Sequence, residues 1–585
     1  MLKNLLWVSP AYLAVGYTLT AAIFIIVCIR LYRDRHEGRR TLGVFPLIAG
    51  VILNLASVVF ITNSATVFMG DTAIYWYNMI DHAPLIKPGG FFDYLKMAVK
   101  SVSYNDYNYL PAVIPTIIGS LFGTSRLVFI LVIANAYTLT GLVALTKAAE
   151  RLCGLDNARA LQLSALFAFL SIPVITNLTV IGFLDTGGLI FCGLVVFLYA
   201  RRDSLPHCAM LGFILVALQL FRRWYIFWVI SFILLACIHQ IYEYLTKNQT
   251  LKSLMMRLAA AGLAYLAPMI LLLPRLTLDL IQKTDYSNAY SAYWRPVSTD
   301  ISAGVTYFGL LALLLTVCGA VWLALRKKYL PAALVCHAML TFALFRLIQG
   351  HGQQHYLLYI PAIFITLTAA VHELLTMERL VFKKYKRVLY VFMAAVALGS
   401  FITLYTVKRD DVVYKPYYIF PRQSNEPIVR NDMPELLRLG RDLDTLTAEM
   451  PGARIGVVAS SWRWFFSGYL TGLEHSLNLP MEGRRSYLIS NSAVDSRDNK
   501  PRYLYDCPYV VVADPVQLHL DADVQTVVTA PHSAFMNGTT IGAAFIKTEH
   551  IYHLDNDITV YIFKKYRDVT YEEKAAFETM MPNVR

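Results

Sequence analysis

Apolar residues in this chain are bunched into runs of about 20, the length that crosses a hydrocarbon core about 30 Å thick, rather than spaced as amphipathic stripes or alternating strands. The runs occupy 11–29, 42–62, 127–146, 158–175, 178–200, 206–222, 224–242, 254–273, 303–325, 330–348, 356–375 and 388–407. They predict an all-α polytopic membrane domain of about 12 transmembrane helices over residues 1–407. The first run is long enough to span and lacks a small-residue cleavage site, so it reads as a retained helix. Beyond residue 407 the pattern changes: Asp410-Asp411 and the segment from Lys415 to Pro434 read as a linker, and residues 408–585 as a small extracytoplasmic α/β domain. Within it, Arg454–Ser460, Tyr509–Pro515, Gln525–Ala530 and Ile558–Lys564 predict strands, and Met433–Met450 and Trp462–Gly472 predict helices.

Charge placement orients the bundle. The net charge is +13, but the excess Lys and Arg sits in short clusters at every second end of a run. Arg30 to Arg40, Lys147 to Arg159, Arg201-Arg202, Lys247 to Arg257, Arg326 to Lys328 and Arg379 to Arg387 all become cytoplasmic in one threading, which puts both termini and the 408–585 domain outside. The basic balance therefore reads as orientation in a bilayer and not as nucleic-acid binding. Of the eight cysteines only Cys507 falls in the outer domain, which predicts neither a disulfide nor a zinc site.

On that outer face stand several groups that can do chemistry. Gly70-Asp71-Thr72-Ala73-Ile74-Tyr75-Trp76-Tyr77 opens the first long outer loop. A cap on an interfacial helix with an aromatic belt is the bland reading, and an acid at the membrane surface the chemical one. Tyr104-Asn105-Asp106-Tyr107-Asn108-Tyr109-Leu110-Pro111 follows, then an apolar stretch, 111–122, too short to cross and expected to lie along the interface. Asp185 lies inside an apolar run about 15 residues, or ~22 Å, from its cytoplasmic end, so it faces a cavity rather than lipid unless it only caps the break at Gly187-Gly188. Arg222 and Arg223 stand between two apolar runs with almost no loop, suited to an anionic phosphate or to snorkelling. Tyr293, His355 and Tyr356 sit in aromatic and Asn/Gln/His-rich outer loops, a composition fit either to stack on a sugar or to decorate an interface.

The order of these elements resembles the GT-C superfamily of membrane glycosyltransferases, in the branch of protein mannosyltransferases and lipid A aminoarabinose transferases. The likeness is carried by Gly70 to Tyr75, Asp106 to Pro111, the Ile117 to Gly123 segment, Phe183-Leu184-Asp185, Arg222-Arg223 and His355 to Pro361, across residues 42–375. Two departures stand out: an additional N-terminal run, and Asp71-Thr72 where many relatives carry two adjacent acids. The resemblance implies transfer of a sugar from a polyprenyl-phosphate donor to a glycan, lipid or protein acceptor outside the cytoplasmic membrane. It makes Asp71 the general base, Asp185 a positioning acid, and Arg222 and Arg223 the donor-phosphate ligands. Asp106 becomes the ligand of a divalent metal ion or an acceptor-orienting acid, and Tyr75, Tyr107, Tyr293, His355 and Tyr356 line the substrate. A flippase or transporter of lipid-linked glycans, or a surface-glycan polymerase or ligase, is the alternative. A transporter needs polar residues in the cytoplasmic halves of several spans, and those halves read as apolar.

Overall fold

The computed structural model describes residues 43–585 apart from 65–69, 103–106, 273–285, 378–379, 428, 462, 478, 480–483, 490–491, 583 and 585. The run 11–29 and the metal-ligand candidate Asp106 thus lie outside the described residues. Each of the other apolar runs carries helix, but not always as one rod. Among the described residues six helices are long and apolar enough to cross a membrane: Phe45–Asn63, Arg126–Cys153, Arg223–Leu245, Leu251–Ile270, Tyr329–Arg346 and Arg387–Thr406. Two bent pairs bring the number to as many as eight. Leu184–Tyr199, Leu205–Phe221 and Ile360–Thr376 are shorter than the ~20 residues a straight crossing takes. Among the described residues the runs thus yield six to eight full-length helices of the expected dozen, and 3-10 turns at Leu184–Gly187 and Arg223–Tyr225 interrupt others. The chain is a multi-pass membrane protein.

Hydrophobicity all round a helix predicts a central position, and Ile360–Thr376 shows it, with every residue from Ile360 to His372 buried. It packs among Thr140–Cys153, Ala158–Ser171 and Leu310–Leu325. The apolar segment 111–122 forms a 3-10 turn, Leu110–Ala112, and a helix, Val113–Phe122, that lies against Gly70–Leu85.

One bend has an unexpected partner. Val297–Phe308 and Leu310–Leu325 meet at 91°. Gly309 between them has φ +77°, and a Cβ there would stand 2.7 Å from the Pro421 ring. The first amides of a helix have no partner within it. Here Leu310 and Leu311 donate to the carbonyls of Tyr418 and Ile419, at 2.7 and 3.1 Å. The segment read as a linker is thus laid into the helical domain. Arg422 N donates to Thr306 O at 2.7 Å, and Asn425 N to Leu404 O at 2.6 Å. Asn177 Nδ2 donates to Asn425 Oδ1 at 2.8 Å.

The C-terminal domain, named the outer domain after the expectation from charge placement, is built on a four-stranded sheet of order β1-β4-β6-β5, with β1 Ile455–Val458, β4 Tyr509–Asp514, β5 Phe545–Leu554 and β6 Ile558–Lys565. β1 runs parallel to β4, and the other pairs are antiparallel. Strand β4, Tyr-Val-Val-Val-Ala-Asp, is a nearly continuous apolar run, as a strand buried on both faces should be. Val511 and Ala513 face the Met433–Ala448 helix, while Val510 and Val512 face Thr526–Asn537. Two expectations are corrected. Gln525–Ala530 is not a strand: Thr526 begins a helix that runs to Asn537, because the Asp495 carboxylate accepts from the Thr526 and Val527 amides, both at 2.9 Å, and caps it from 31 residues away. Trp462–Gly472 is not one helix. A two-stranded hairpin, β2 Ser460–Ser461 with β3 Phe465–Phe466, precedes the short helix Ser467–Thr471.

Candidate functional site

Four segments converge on one arginine. The first is the helix Gly70–Leu85, whose first turn carries Asp71, a place where the helix dipole favours an anion. Tyr75, one turn on, shares the Asp71 face. The second is the 3-10 turn Leu184–Gly187, which interrupts an apolar run and leaves Asp185 1% exposed. The third is the junction after Leu205–Phe221, where Arg222 takes an extended conformation before the 3-10 turn Arg223–Tyr225. The fourth brings Tyr107 from the far end of the first outer loop.

Arg222 Nη2 donates to Asp71 Oδ2 at 2.7 Å, and Nη1 donates to the Tyr75 hydroxyl at 2.6 Å. Arg222 Nε lies 2.6 Å from Asp185 Oδ1, but the N–H is not aligned on it, so both atoms are buried without a hydrogen bond. Tyr107 donates its hydroxyl to Asp71 Oδ1 at 2.8 Å. The guanidinium also lies 5.2 Å from the ring centres of both Tyr75 and Tyr107. Tyr225, from the turn that carries Arg222, donates to the Asp185 carbonyl at 3.0 Å and so pins the two turns together. One cation between two carboxylates leaves the group with a net negative charge. The side chain of Asp71 is 21% exposed, against 1% for Asp185, so of the two acids only Asp71 can meet a molecule arriving from solvent.

The structure brings together Asp71, Asp185, Arg222, Tyr75 and Tyr107. Arg223 is half-buried on the same turn, but the carboxylates are held by its neighbour. His355 stands next to this group, edge-on to Trp224 at 5.3 Å. Its Nδ1 accepts from the Gly352 amide at 2.8 Å, which leaves the ring proton on Nε2. Tyr356 points elsewhere, donating to the Asp300 carbonyl at 2.6 Å. Tyr293 reaches the outer domain, with its hydroxyl 3.0 Å from His519 Nε2 and 3.3 Å from Arg497 Nη1.

Sequence reading missed a second buried polar group. Asp300 Oδ2 is 3.3 Å from both Arg346 Nε and His351 Nδ1, and His351 Nε2 is 2.5 Å from the Tyr359 hydroxyl. Arg346 also lies 4.6 Å from the Trp294 ring centre. The available signal was weaker than the one that exposed Arg222: Arg346 stands near the end of the apolar run 330–348, and Asp300 just before the run 303–325.

No group of three or more His, Cys, Asp or Glu suited to a metal occurs among the described residues. Asp71 and Asp185 hold a guanidinium between them. Asp106, expected to hold a divalent ion, is not among the described residues.

Neither a protein-family model nor a curated protein matches the chain. Among solved structures it is similar to ArnT from Cupriavidus metallidurans bound to undecaprenyl phosphate, with 12% identity, 89% of this chain and 97% of that one covered, and a TM-score of 0.47. It is also similar to the same protein in the apo state, with 12% identity, the same coverage and a TM-score of 0.45.

Proposed function

We propose that this chain is a membrane glycosyltransferase of the GT-C kind, moving a sugar from a polyprenyl-phosphate donor to an acceptor hydroxyl on the outer side of the cytoplasmic membrane. The observation that carries the reading is the graded burial of the Asp71–Arg222–Asp185 group: a half-open acid backed by a buried cation, itself backed by a buried acid. In this reading Asp71 accepts the acceptor's proton as its oxygen forms a bond to the anomeric carbon. The bond from that carbon to the phosphate oxygen breaks, and the polyprenyl phosphate leaves with the electron pair. Of five guanidinium N–H groups on Arg222, two bond Tyr75 and Asp71, and the one on Nε lies beside Asp185 without an aligned hydrogen bond. The other two suit the departing phosphate, where a cation in a water-poor site acts most strongly. Asp185 holds Arg222 from behind, and Tyr107 orients the Asp71 carboxylate. His355 and Arg223 flank the entry. The outer domain, from about residue 408, stands over this face.

The test is purified protein in nanodiscs with radiolabelled polyprenyl-phosphate sugars and a panel of glycan and lipid acceptors, reading release of polyprenyl phosphate coupled to labelled product. Asp71→Asn is expected to lower turnover by a hundredfold or more, with donor-lipid binding retained. Near-wild-type turnover in Asp71→Asn removes the base assignment and makes Asp106 the next acid to replace. Donor lipid that crosses the bilayer with its sugar bond intact makes the protein a transporter.

A further inference from the structure

The helix that carries Asp71 has a second polar face. Tyr77 and Asp81, again one turn apart, stand about 120° round the helix from Asp71 and Tyr75. They meet the outer domain. Arg484 grips the Asp81 carboxylate with two hydrogen bonds, Nε to Oδ1 at 2.9 Å and Nη2 to Oδ2 at 2.5 Å. Its guanidinium also lies 4.6 Å from the Tyr77 ring centre. The Tyr77 hydroxyl donates to the Gly468 carbonyl at 3.2 Å. A Cβ on Gly472 would fall 2.6 Å from the Tyr77 ring, so only glycine lets the two segments approach this closely.

The outer half of this contact is built on a rigid base. Arg485, next to Arg484, is buried and donates to Glu474, Asp444 and the Leu470 carbonyl. Its backbone amide donates to Thr471, at the end of the short helix that holds Gly468. The Arg484 backbone is thereby fixed relative to Gly468 and Gly472, and the three together form a seat shaped to Tyr77 and Asp81. A bidentate Arg–carboxylate pair with a cation over an aromatic ring also fixes orientation, which a single contact does not.

We propose that Tyr77, Asp81, Gly472 and Arg484 are positioning residues through which the outer domain sets the rotation of the Gly70–Leu85 helix and hence the placement of Asp71 against Arg222. The assignment to catalysis rests on the glycosyltransferase reading above; the mechanical coupling does not. A rotation of the helix by a fraction of a turn moves its two polar faces together, so loosening the Asp81 side displaces the Asp71 side.

The experiment uses the full chain in nanodiscs with the variants Asp81→Arg, Arg484→Asp, the exchanged pair carrying both, and Tyr77→Phe. Backbone hydrogen exchange over residues 70–85 is expected to quicken in each charge reversal and to return toward wild type in the exchanged pair. Turnover is expected to fall about tenfold to a hundredfold in the single reversals, with the KM for donor lipid changed far less, and to recover in the pair. Tyr77→Phe, which keeps the ring and removes one hydrogen bond, gives a smaller change in the same direction and guards against a reversal that fails to fold. Unchanged exchange over 70–85 in folded single reversals overturns the coupling whatever the turnover. Exchange that responds as expected in a protein with no transferase activity keeps the coupling and overturns the function. Exchange that responds while turnover stays at wild type overturns the positioning role.

Discussion

Two arginines in this molecule each stand between two carboxylates, and they are finished differently. Arg485 in the outer domain donates twice to Asp444, at 3.0 and 2.9 Å, twice to Glu474, at 2.7 and 2.5 Å, and once to the Leu470 carbonyl. Tyr487 adds a hydrogen bond to Asp444 at 2.6 Å. Arg222 in the membrane domain is also buried, yet its Nε and Asp185 Oδ1 face one another without an aligned hydrogen bond. A buried donor left unaligned costs about 1–3 kcal/mol. The saturated cluster has no capacity left for another molecule and is suited to hold a fold. The incomplete one has unused donors and is suited to act.

The difference can be broken or sharpened by substitution. The largest effect is expected for Arg485→Leu, which leaves Glu474 uncompensated. It should cost the outer domain about 3 kcal/mol, the low end for a broken buried pair because Asp444 is 43% exposed. Differential scanning calorimetry of the outer-domain transition checks this, and an unmoved transition would show that the saturated cluster is not structural. Arg222→Gln should do the reverse, lowering turnover on the order of a hundredfold, or about 2.7 kcal/mol in the barrier, while that transition stays in place. Unfolding of the membrane domain in this variant, followed by protease resistance, would make Arg222 a second structural arginine. Asp185→Asn removes the rear anion but keeps its shape. A loss of about tenfold in turnover is expected, and a loss equal to that of Asp71→Asn would transfer the base role inward.

A pH-dependent effect concerns the contact at Tyr293. Burial holds the His519 imidazole at a pKa of about 4, below its ordinary value of about 6.5. The unfolded chain therefore takes up a proton first as pH falls, and the stability supplied by the neutral ring is fully present above about pH 6.5 and lost on the way down to about pH 4. Protonation of Nε2 also removes the acceptor for the Tyr293 hydroxyl. The outer-domain transition temperature should decline over that window, and less steeply in His519→Asn. Parallel declines in the two proteins would assign the pH dependence to other groups.

Much of this was open to sequence reading because a bilayer makes charge conspicuous. Asp71, Asp185 and Arg222 stood out as ionised groups at or inside apolar runs, where desolvation is expensive. Tyr107 reached the same place through a long-range contact its neighbours do not encode. The division of labour between Arg222 and Arg223 could not be read, since adjacent residues differ only in the direction the backbone gives them. Asp300 stands before its apolar run and not inside it, so it carried a weaker signal than Asp185, and no motif surrounds it or Arg346. In the outer domain the β-branched Thr526-Val527-Val528-Thr529 favoured a strand, and the helix won because its cap came from Asp495. Strand β5 escaped because its polar residues, among them Lys547 and Glu549, break the alternation, and the β4–β6 ladder draws it in.

The seam at Gly309 bears on how the protein is made. The amides of Leu310 and Leu311 are capped by carbonyls that belong to residues 418 and 419. Ribosomes add about 5–20 residues per second, so those amides wait on the order of ten seconds for the chain that completes them. During that interval the bend between Val297–Phe308 and Leu310–Leu325 is held by helix packing alone. The strap that follows the membrane domain in synthesis thus acts as its latch. A polypeptide released at residue 407 would insert its helices and still lack the strap that closes them.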